Sequence, residues 1–561
     1  LPPPFYGAMK PAEDINDLAS DVGVLTVRPR MFGLDDLVSW AGNSVEALRS
    51  VSSMFRVDAR FQSVSMSSRT DGHPPMGPNG LFIAIRGTQR DGHDFVADAF
   101  ANGAIAALVD HIPANLEKHV SDGRIVVISA NPDRLDHKVR RVGSEVANLP
   151  LSQDGPDLPE HVLILVDRET GTMTALQDLA IWWRQSLSTP IVAIAGSVGK
   201  TTTKDLVAAV LGSRYHVLGT AGNFNNELGL PFSLLRLTSE HTIAALEIGI
   251  SAIGEMVRFA EIAGPTMAVI TRIDAEHLHQ LNDIDTVELE EGRLVEALPA
   301  DGHAILNADD PRVARMASRT VANVVTFGEA GDAMVRATDV EVVGLEGTHF
   351  TLVYQGHHRR VRLPLIGRHF LTGALAAASV GFVAGCSWEG IVESLEQPLE
   401  APRIRALAIS TQIMVLDDTY NASPASCIAA LDVLAAQPGL RIAVLGDMFE
   451  LGDFEAEAHR IVGEALKGRA DLLVATGSAA TGISREAARN GMDQSAILHV
   501  AASQDVVPAM TSWNCLAGRA GPWTVLVKGS RGMRMERVVA MLQQAFGAAS
   551  NSISSASSIA G

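Results

Sequence analysis

The chain has 561 residues, a length that suggests three or four domains at about 150 residues each, and we take three. Hydrophobic residues make up 47% and aromatic residues 5%, which is typical of a folded α/β protein and excludes a largely disordered chain. A net charge of −19 argues against nucleic acid or an anionic membrane surface as a partner. An anionic ligand would therefore have to meet locally placed Arg and Lys side chains.

The cysteines and the chain ends indicate a soluble protein of a reducing compartment, which we take to be the cytoplasm. The widely spaced cysteines predict neither a disulfide framework nor a CxxC metal pair: Cys386, Cys427 and Cys515. We recognise no signal peptide. The longest apolar run, 371–385, is shorter than the about 20 residues of a membrane span, so we predict a buried helix there and no span. Residues 1–30 and 548–561 are predicted to be disordered.

The first predicted domain, residues 31–187, alternates strand and helix patterns. The predicted elements are strands at 81–87, 105–110 and 162–167 and helices at 91–104 and 174–187. Residues 131–160 are polar and marked by prolines, so we interpret them as a surface insertion.

Two further domains are predicted at 188–400 and 401–547. In the central one, short apolar runs ending in Gly, Asp or Thr are followed by helical periodicity, a pattern that favours a doubly wound, mainly parallel sheet. The last domain repeats this rhythm, with strands predicted at 413–418, 441–447, 471–477 and 524–530. Ligands of open α/β sheets collect at the carboxyl ends of the strands, and we expect the functional residues there.

The stretch AIAGSVGKTTT at 193–203 predicts a phosphate-binding loop between a strand and a helix. Backbone N–H groups of a glycine loop face phosphate oxygens at a helix N terminus. Lys200 would neutralise phosphate charge and Thr201 would place its hydroxyl on Mg²⁺. The strict GxxxxGK[ST] pattern is not met, because Ile194 stands at its first glycine position. The alternative is a glycine turn with a surface lysine.

Polar residues at other strand ends are candidate metal and substrate ligands. Glu247 ends the run TIAALE and suits Mg²⁺, which takes oxygen ligands, although it could equally be a solvated carboxylate. His277 follows MAVIT, and its alternative is an ordinary hydrogen-bonded histidine. An Asn-rich stretch at 218–235 supplies amides for substrate or phosphate, or is simply a turn. In the third domain, Lys528 and Arg531 are candidates to hold a carboxylate or phosphate, unless they form a solvated basic edge.

Taken together, these stretches resemble the Mur ligases, ATP-dependent amide-bond formers of peptidoglycan precursor synthesis. The resemblance covers most of 60–545. It rests on LFIAIRGTQRDGHDF, AGSVGKTTTKD, GNFNNELGLPFSLL, NADDPRV, GRHFLTGALAAAS, DDTYNASPAS, VLGDMFELG and LVKGSRGMRMERVV. It implies a UDP-muramyl-substrate domain, a central P-loop ATPase domain and a C-terminal Rossmann-like domain. The member most similar in these motifs adds D-alanyl-D-alanine to a UDP-muramyl tripeptide, through an acyl phosphate, with ATP and Mg²⁺. We expect the chain to act as a monomer.

The resemblance also implies roles for individual residues. The catalytic residues would be Lys200, Glu247, His277 and Arg403. The nucleotide would contact Gly196, Ser197, Val198, Gly199, Lys200, Thr201, Thr202, Asn307, Phe370, Arg403 and Asp418. The UDP-muramyl peptide and the dipeptide would contact Ser68, Arg69, Asp91, Gly92, His93, Asn223, Asn225, Asn226, Asp417, Tyr420, Asn421 and Lys528. The metal would contact Thr201, Glu247, His277 and Glu291.

Several positions depart from the family pattern. The family carries a carbamylated lysine that binds a second Mg²⁺ where this chain has Glu291, and an acidic residue where it has Arg293. Glu291 supplies a carboxylate without carbamylation but is several bonds shorter; alternatively, the acidic cluster 288–291 is a solvated helix face. Phe370 replaces an asparagine near the nucleotide and would stack on adenine. Further departures are Ser67, Arg272, Gly373 and Ser423.

Two alternatives to this function remain open. One is a Mur-like ligase that uses another acceptor or amine. The other is a catalytically weakened paralogue that binds nucleotide and has a regulatory role. The retained residues Lys200, Thr201, Glu247 and His277 favour catalysis, whereas Glu291 and Phe370 indicate divergence.

Overall fold

The computed structural model describes the following residues: 32–41, 60–61, 63–65, 79–87, 90–122, 124–130, 161–168, 171–222, 224–400, 403–513, 516 and 521–547. The predicted disordered ends and the predicted insertion at 131–160 lie outside them. The described strands form three sheets that follow one another along the chain. Most neighbouring strands are parallel and alternate with helices, which confirms the predicted α/β class.

The first sheet is entirely parallel, in the order β1-β2-β3-β5-β4. Its strands are β1 (Ser63–Ser65), β2 (Gly80–Ile83), β3 (Ala104–Val109), β4 (Ile125–Ser129) and β5 (His161–Leu165). The helices of this part are α1 (Leu34–Trp40), α2 (Val96–Ala101), α3 (Glu117–Ser121) and α4 (Gly171–Gln185). Helix α4 buries Trp183, whose Nε1 donates to the Leu237 carbonyl 3.1 Å away, so α4 also packs against the next part of the chain.

The second sheet has the order β14-β13-β12-β11-β10-β9-β6-β8-β7. Its strands are β6 (Ile191–Ala195), β7 (Val217–Gly219), β8 (Ile243–Glu247), β9 (Met267–Ile270), β10 (His303–Asn307), β11 (Asn323–Gly328), β12 (Val335–Val343), β13 (Gly347–Tyr354) and β14 (His357–Leu363). The pairs β12–β13 and β13–β14 are antiparallel, a hairpin extension that we did not predict. The remaining pairs are parallel, as predicted.

Helices cover the second sheet and lead into the third. They are α5 (Lys200–Gly212), α6 (Gly229–Leu235), α7 (Glu255–Ala263), α8 (Leu278–Leu281), α9 (Ile284–Glu296), α10 (Pro311–Arg315), α11 (Phe370–Val383) and α12 (Trp388–Leu395). Helix α11 is buried along most of its length, which confirms the predicted buried helix at 371–385. None of the helices in the described part of the chain has the length and apolarity needed to cross a membrane.

The third sheet has the order β15-β16-β20-β17-β18-β19 and is parallel except for the β15–β16 pair. Its strands are β15 (Arg405–Ala408), β16 (Ile413–Asp418), β17 (Leu440–Gly446), β18 (Leu472–Thr476), β19 (Ile497–Val500) and β20 (Trp523–Lys528). Its helices are α13 (Pro424–Ala435), α14 (Glu455–Ala465), α15 (Thr481–Arg489), α16 (Val506–Ser512) and α17 (Glu536–Gly547). The four strands predicted here are confirmed to within two residues at each end.

One buried hydrophobic cluster joins the second and third sheets. It contains Leu206 and Phe370 from the central part of the chain and Cys427 and Leu445 from the C-terminal part. Burial of apolar surface on this scale is the main force that holds two such sheets together. The carboxyl ends of strands in the second and third sheets are thereby kept near one another, and the candidate site lies there.

Candidate active site

The loop between β6 and α5 has the conformation of a phosphate cradle. Gly196 and Gly199 have φ angles of +117° and +90°, in the left-handed region that favours glycine. A Cβ atom at Gly196 would lie 2.5 Å from Oγ1 of Thr271, and this hydroxyl donates to the carbonyl of Val198 at 2.7 Å. Thr271, at the end of β9, therefore holds the loop in place from the neighbouring strand.

Lys200 is the first residue of α5, and its ammonium group is enclosed by acceptors. Nζ donates to the Ser197 carbonyl at 3.1 Å and to Oε2 of Glu276 at 3.0 Å. Burial alone would lower the pKa of Lys200, but the carboxylates of Glu276, Glu291 and Glu247 outweigh it and raise that pKa. The lysine side chain is 13% exposed, which does not support the alternative of a surface lysine.

Thr201, Asn225 and Glu247 form a connected group beside this lysine. Oε1 of Glu247 accepts hydrogen bonds from the Thr201 hydroxyl at 3.1 Å and from the Asn225 amide at 2.8 Å. Oε2 of Glu247 is buried and has no hydrogen-bond partner among the described residues. A buried carboxylate oxygen needs a partner, and an oxygen-preferring cation such as Mg²⁺ fits it. The geometry thus favours a metal ligand over the solvated carboxylate that the sequence left open.

Glu291 faces the phosphate cradle from helix α9. Its side chain is buried, and Oε2 accepts a hydrogen bond from the backbone N–H of Gly196 at 3.0 Å. Burial raises the pKa of Glu291 to about 7, although the charge of Lys200 opposes this shift. Glu291 is therefore not part of a solvated helix face.

His277 connects the second sheet to the third. It has a φ angle of +51°, and its Nδ1 lies 3.2 Å from Oε2 of Glu450, which belongs to the VLGDMFELG segment after β17. Its Nε2 lies 3.7 Å from Oε1 of Glu276. A Cβ atom at Gly452 would come within 2.9 Å of His279, so the two segments are in tight contact. His277 thus lies at the contact between the two parts of the chain, and Glu276 lies between it and Lys200.

Three other predicted nucleotide and substrate residues make contacts that support the fold around the cradle and between the sheets. Asn307 donates to the Thr271 carbonyl at 2.8 Å and so supports the residue that holds the cradle. Oδ1 of Asn226 accepts from the backbone of Gly229 at 2.9 Å, at the start of α6. Phe370 is 7% exposed and belongs to the hydrophobic cluster between the sheets. These contacts leave the predicted ligand roles of all three untested, as they do for the buried Thr202.

Cationic and aromatic groups lie together near the carboxyl end of β16. The Arg403 guanidinium lies 3.6 Å from the centroid of the Tyr420 ring, a cation–π contact. Arg531 approaches the same ring at 5.8 Å. Asp417 is buried and accepts from Arg405 at 2.6 Å. Tyr420 is exposed, and the two arginines beside it can bind an anionic or planar ligand; the predicted ligand roles stay predictions.

Lys528 and Asp418 form a buried ion pair between β20 and β16. Nζ of Lys528 lies 2.7 Å from Oδ2 of Asp418 and donates to the Asn421 carbonyl at 2.8 Å. Their side chains are 2% and 8% exposed. Burial raises the pKa of Asp418 even though the lysine charge opposes this. Through its bond to Asn421, Lys528 holds the loop that follows β16, which carries the predicted substrate residues Tyr420 and Asn421, against the centre of the third sheet.

We expect Lys528→Met to lower the free energy of unfolding by about 3–5 kcal/mol, because it leaves the Asp418 carboxylate buried without its cation. Urea unfolding followed by tryptophan fluorescence would measure this. The double variant Lys528→Met/Asp418→Asn should recover much of the loss, since a neutral amide costs less to bury than a charge. Equal destabilisation in the single and double variants would contradict this account of the pair.

In the first sheet, predicted substrate residues join a polar cluster at the ends of β2 and β3. Nδ1 of His93 lies 2.6 Å from Oδ1 of Asp91, and its Nε2 accepts from the Asp110 backbone at 3.0 Å. Arg86 pairs with Asp110 at 3.0 Å, and the His111 ring stacks on His93 with centroids 4.1 Å apart. A Cβ atom at Gly92 would lie 2.6 Å from the Ile85 backbone, so this turn requires glycine. Ser68, Arg69 and Asn223 lie outside the described residues.

The sequence reasoning missed four residues that the structure brings to these sites: Thr271, Glu276, Glu450 and Arg86. Glu276 directly precedes the predicted His277 in the run DAEHL, which was the available signal. Glu450 lies in VLGDMFELG, one of the motifs that carried the family resemblance. Arg86 lies in LFIAIRGTQRDGHDF, another of these motifs, whereas Thr271 acts through a tertiary contact that has no local pattern.

Comparison with known proteins agrees with this arrangement. Residues 194–381 match the Mur ligase middle domain, residues 403–531 the Mur ligase glutamate ligase domain, and residues 69–150 the Mur ligase family catalytic domain. The chain is 32% identical over 485 residues to the UDP-N-acetylmuramoyl-tripeptide–D-alanyl-D-alanine ligase of Escherichia coli, covering 86% of this chain and 94% of that one.

Two more relatives extend the comparison. The corresponding ligase of Bacillus subtilis is 31% identical over 82% of this chain and 89% of its own. A crystal structure of MurF from Acinetobacter baumannii superposes with a TM-score of 0.71 at 26% identity, covering 88% of this chain and 98% of that one. On the sequence, the fold and these matches together, the chain belongs to the Mur ligase family.

Proposed function

We propose that this chain is an ATP-dependent ligase that adds D-alanyl-D-alanine to a UDP-N-acetylmuramoyl tripeptide in peptidoglycan precursor synthesis. The observation that carries the proposal is the group Lys200, Thr201 and Glu247 at the phosphate cradle. Similarity to UDP-N-acetylmuramoyl-tripeptide–D-alanyl-D-alanine ligases over more than four-fifths of the chain supports the choice of substrates.

The first chemical step would be phosphoryl transfer. A carboxylate oxygen of the muramyl peptide attacks the γ-phosphorus of ATP, and the bond from that phosphorus to the bridging β-phosphate oxygen breaks. ADP departs, and the peptide carboxylate has become an acyl phosphate. Such transfers depend on positioning and charge neutralisation more than on covalent chemistry. The N–H groups of Gly196 and Ser197 already donate to Glu291 and to the Arg272 carbonyl. The N–H groups of Val198 and Gly199 and the ammonium of Lys200 would therefore supply the neutralising charge next to the helix N terminus.

The second step would form the amide bond. The amine of D-alanyl-D-alanine attacks the acyl carbon, the carbon–oxygen bond to phosphate breaks, and inorganic phosphate leaves while the nitrogen loses a proton. Arg403, held against the Tyr420 ring, faces the cleft where it can bind a carboxylate or phosphate. We assign the first-sheet cluster around Asp91 and His93 to the UDP-muramyl end of the substrate.

Mg²⁺ fits the residues at the cradle. Thr201 and Glu247 would hold it, since the unpartnered Oε2 of Glu247 is a preformed oxygen ligand. His277 and Glu291 are further candidate ligands. When bound, the ion would neutralise phosphate charge during transfer. Asn225 would keep the Glu247 carboxylate in the orientation seen here.

The remaining assignments concern the oligomeric state, the location and the domain limits. Action as a monomer stays a prediction from the family resemblance. Cys386 and Cys427 are buried free thiols, which supports the expected reducing, cytoplasmic location. We retain the predicted domain limits of 31–187, 188–400 and 401–547 as part of the proposal.

The test is phosphate release with purified protein, ATP and Mg²⁺. We expect ADP and phosphate to accumulate only when both UDP-muramyl tripeptide and D-alanyl-D-alanine are present, with a product heavier by one dipeptide residue in mass spectrometry. Release with a different amine or acceptor would identify a Mur-like ligase of other specificity. Binding of ADP without turnover on any amine of a panel would point to the non-catalytic paralogue and contradict the proposal.

A further inference from the structure

The ammonium of Lys200 already has an anionic partner in this structure. Its Nζ lies 3.0 Å from Oε2 of Glu276, on the loop that follows β9. In a phosphate-binding loop, the lysine ammonium is the group that meets the β- and γ-phosphates. The Glu276 carboxylate and a nucleotide phosphate are both anions that bind the same donor, so they compete for it.

Among the carboxylates around Lys200, Glu276 differs from the other two in its contacts. Glu291 is bound to the backbone of Gly196, and Glu247 is bound by Thr201 and Asn225. Both have buried side chains. Of the three carboxylates, Glu276 is the one that accepts a hydrogen bond from the Lys200 ammonium. Its side chain is 29% exposed. It therefore has room to turn toward solvent when the lysine is withdrawn.

We propose that Glu276 is a positioning residue that takes the place of phosphate on Lys200 when the nucleotide site is empty. It must release the ammonium when nucleotide binds, and it recaptures the ammonium when ADP leaves. The inference rests on the proposed function, because it requires a nucleotide in this loop. Its consequence is that Glu276 weakens nucleotide binding and favours product release.

The same carboxylate also adjoins the contact between the second and third sheets. Oε1 of Glu276 lies 3.7 Å from Nε2 of His277, and Nδ1 of His277 lies 3.2 Å from Glu450. When phosphate withdraws Lys200, the Glu276 carboxylate loses its cationic partner while it still adjoins this histidine. Occupation of the cradle thus changes the charge balance at the residue that contacts the C-terminal part of the chain.

The test compares the affinity of the whole chain for ADP and for adenosine by calorimetry, in EDTA and in Mg²⁺. Glu276→Gln keeps the shape of the side chain and removes its charge. We expect Glu276→Gln to bind ADP about tenfold more tightly in EDTA, because ADP no longer has to displace the charge-assisted hydrogen bond between Lys200 and Glu276. Adenosine, which lacks phosphates, should bind as it does to the unmodified protein. Glu276→Ala should behave like Glu276→Gln.

The matched control is Glu464→Gln, an exposed carboxylate in the third part of the chain, which changes the net charge by the same amount. It should leave ADP affinity unchanged. Unchanged or weaker ADP binding by Glu276→Gln would overturn the inference, as would equal tightening for adenosine. Weaker binding only in Mg²⁺ would identify a metal ligand instead and also overturn it. If the unmodified protein failed to bind ADP, the proposed function itself would fail.

Discussion

Glu247→Gln is expected to lower the rate of ATP-dependent phosphate release at least about 100-fold. Removal of one preorganised electrostatic group from an active site typically lowers the rate by this factor. The carboxylate is buried, and its Oε2 has no hydrogen-bond partner in the described part of the chain. The amide keeps an oxygen for Thr201 and Asn225 but presents a neutral group where a cation would bind. Phosphate release with both substrates and Mg²⁺ measures the effect.

The same variant should melt at the temperature of the unmodified protein or above it. A buried amide costs less free energy than a buried ionised carboxylate that lacks a bound cation, and this gain offsets the lost attraction between Glu247 and the Lys200 ammonium. Loss of activity without loss of stability would separate a functional role from a structural one. Retention of more than half the activity by Glu247→Gln would contradict the assignment of this residue to the metal and phosphate site.

The phosphate cradle could be predicted because its determinants are local. Two glycines, a lysine and a preceding apolar strand lie within a dozen residues, and the φ angles of Gly196 and Gly199 explain why glycine stands at both positions. The sequence could not supply the contact of Lys200 with Glu276, since that depends on how the loop after β9 folds back onto α5. Pairing between distant segments leaves no periodic signal in either segment.

The hairpin extension of the second sheet was missed for a different reason. Strand β14 reads HHRRVRL and exposes most of its side chains, so it lacks the apolar alternation on which strand prediction depends. Charged residues on an edge strand also discourage pairing with other chains. The strand is recognisable only once β13 is seen beside it.

The sequence alone could not decide whether Glu291 is a buried residue of the site or part of a solvated helix face. A cluster of four residues at 288–291 with three acidic members is compatible with a solvated helix face. In the structure, Glu288 pairs with Arg312 and Arg315 at the surface, whereas Glu291 is buried against Gly196. Glu290 is buried as well and accepts from the Gly254 N–H at 2.8 Å, so the packing of α9 determines which carboxylates become internal.

The second large effect is expected from Glu291→Lys. The substitution places a second ammonium group in the buried region beside Lys200 and removes the acceptor of the Gly196 N–H. We expect the free energy of unfolding to fall by about 3–5 kcal/mol, the cost of leaving a buried charge without its partner. ADP binding should be lost as well, because the cradle backbone is no longer held. Urea unfolding and calorimetry measure the two effects.

Bicarbonate provides a sharper version of this experiment. Carbon dioxide adds to a neutral lysine amine with formation of a nitrogen–carbon bond and loss of a proton, which yields an anionic carbamate. In Glu291→Lys, that reaction would return a carboxylate to the neighbourhood of Lys200. Bicarbonate should therefore raise the melting temperature and the activity of Glu291→Lys but leave the unmodified protein unchanged. No response to bicarbonate would show that a carboxylate on a longer side chain cannot occupy this site.

Glu291→Gln is the matched variant, and its stability should depend on pH in a defined direction. The folded-state pKa of Glu291 is about 7, above its ordinary value of 4.5, so the stability that its proton contributes is present below pH 4.5 and is lost as the pH rises through 7. Glutamine does not titrate. In EDTA, the stability of Glu291→Gln relative to the unmodified protein should therefore increase between pH 5 and about pH 8. A constant difference across that range would show that Glu291 is ionised throughout, with Lys200 outweighing the cost of burial.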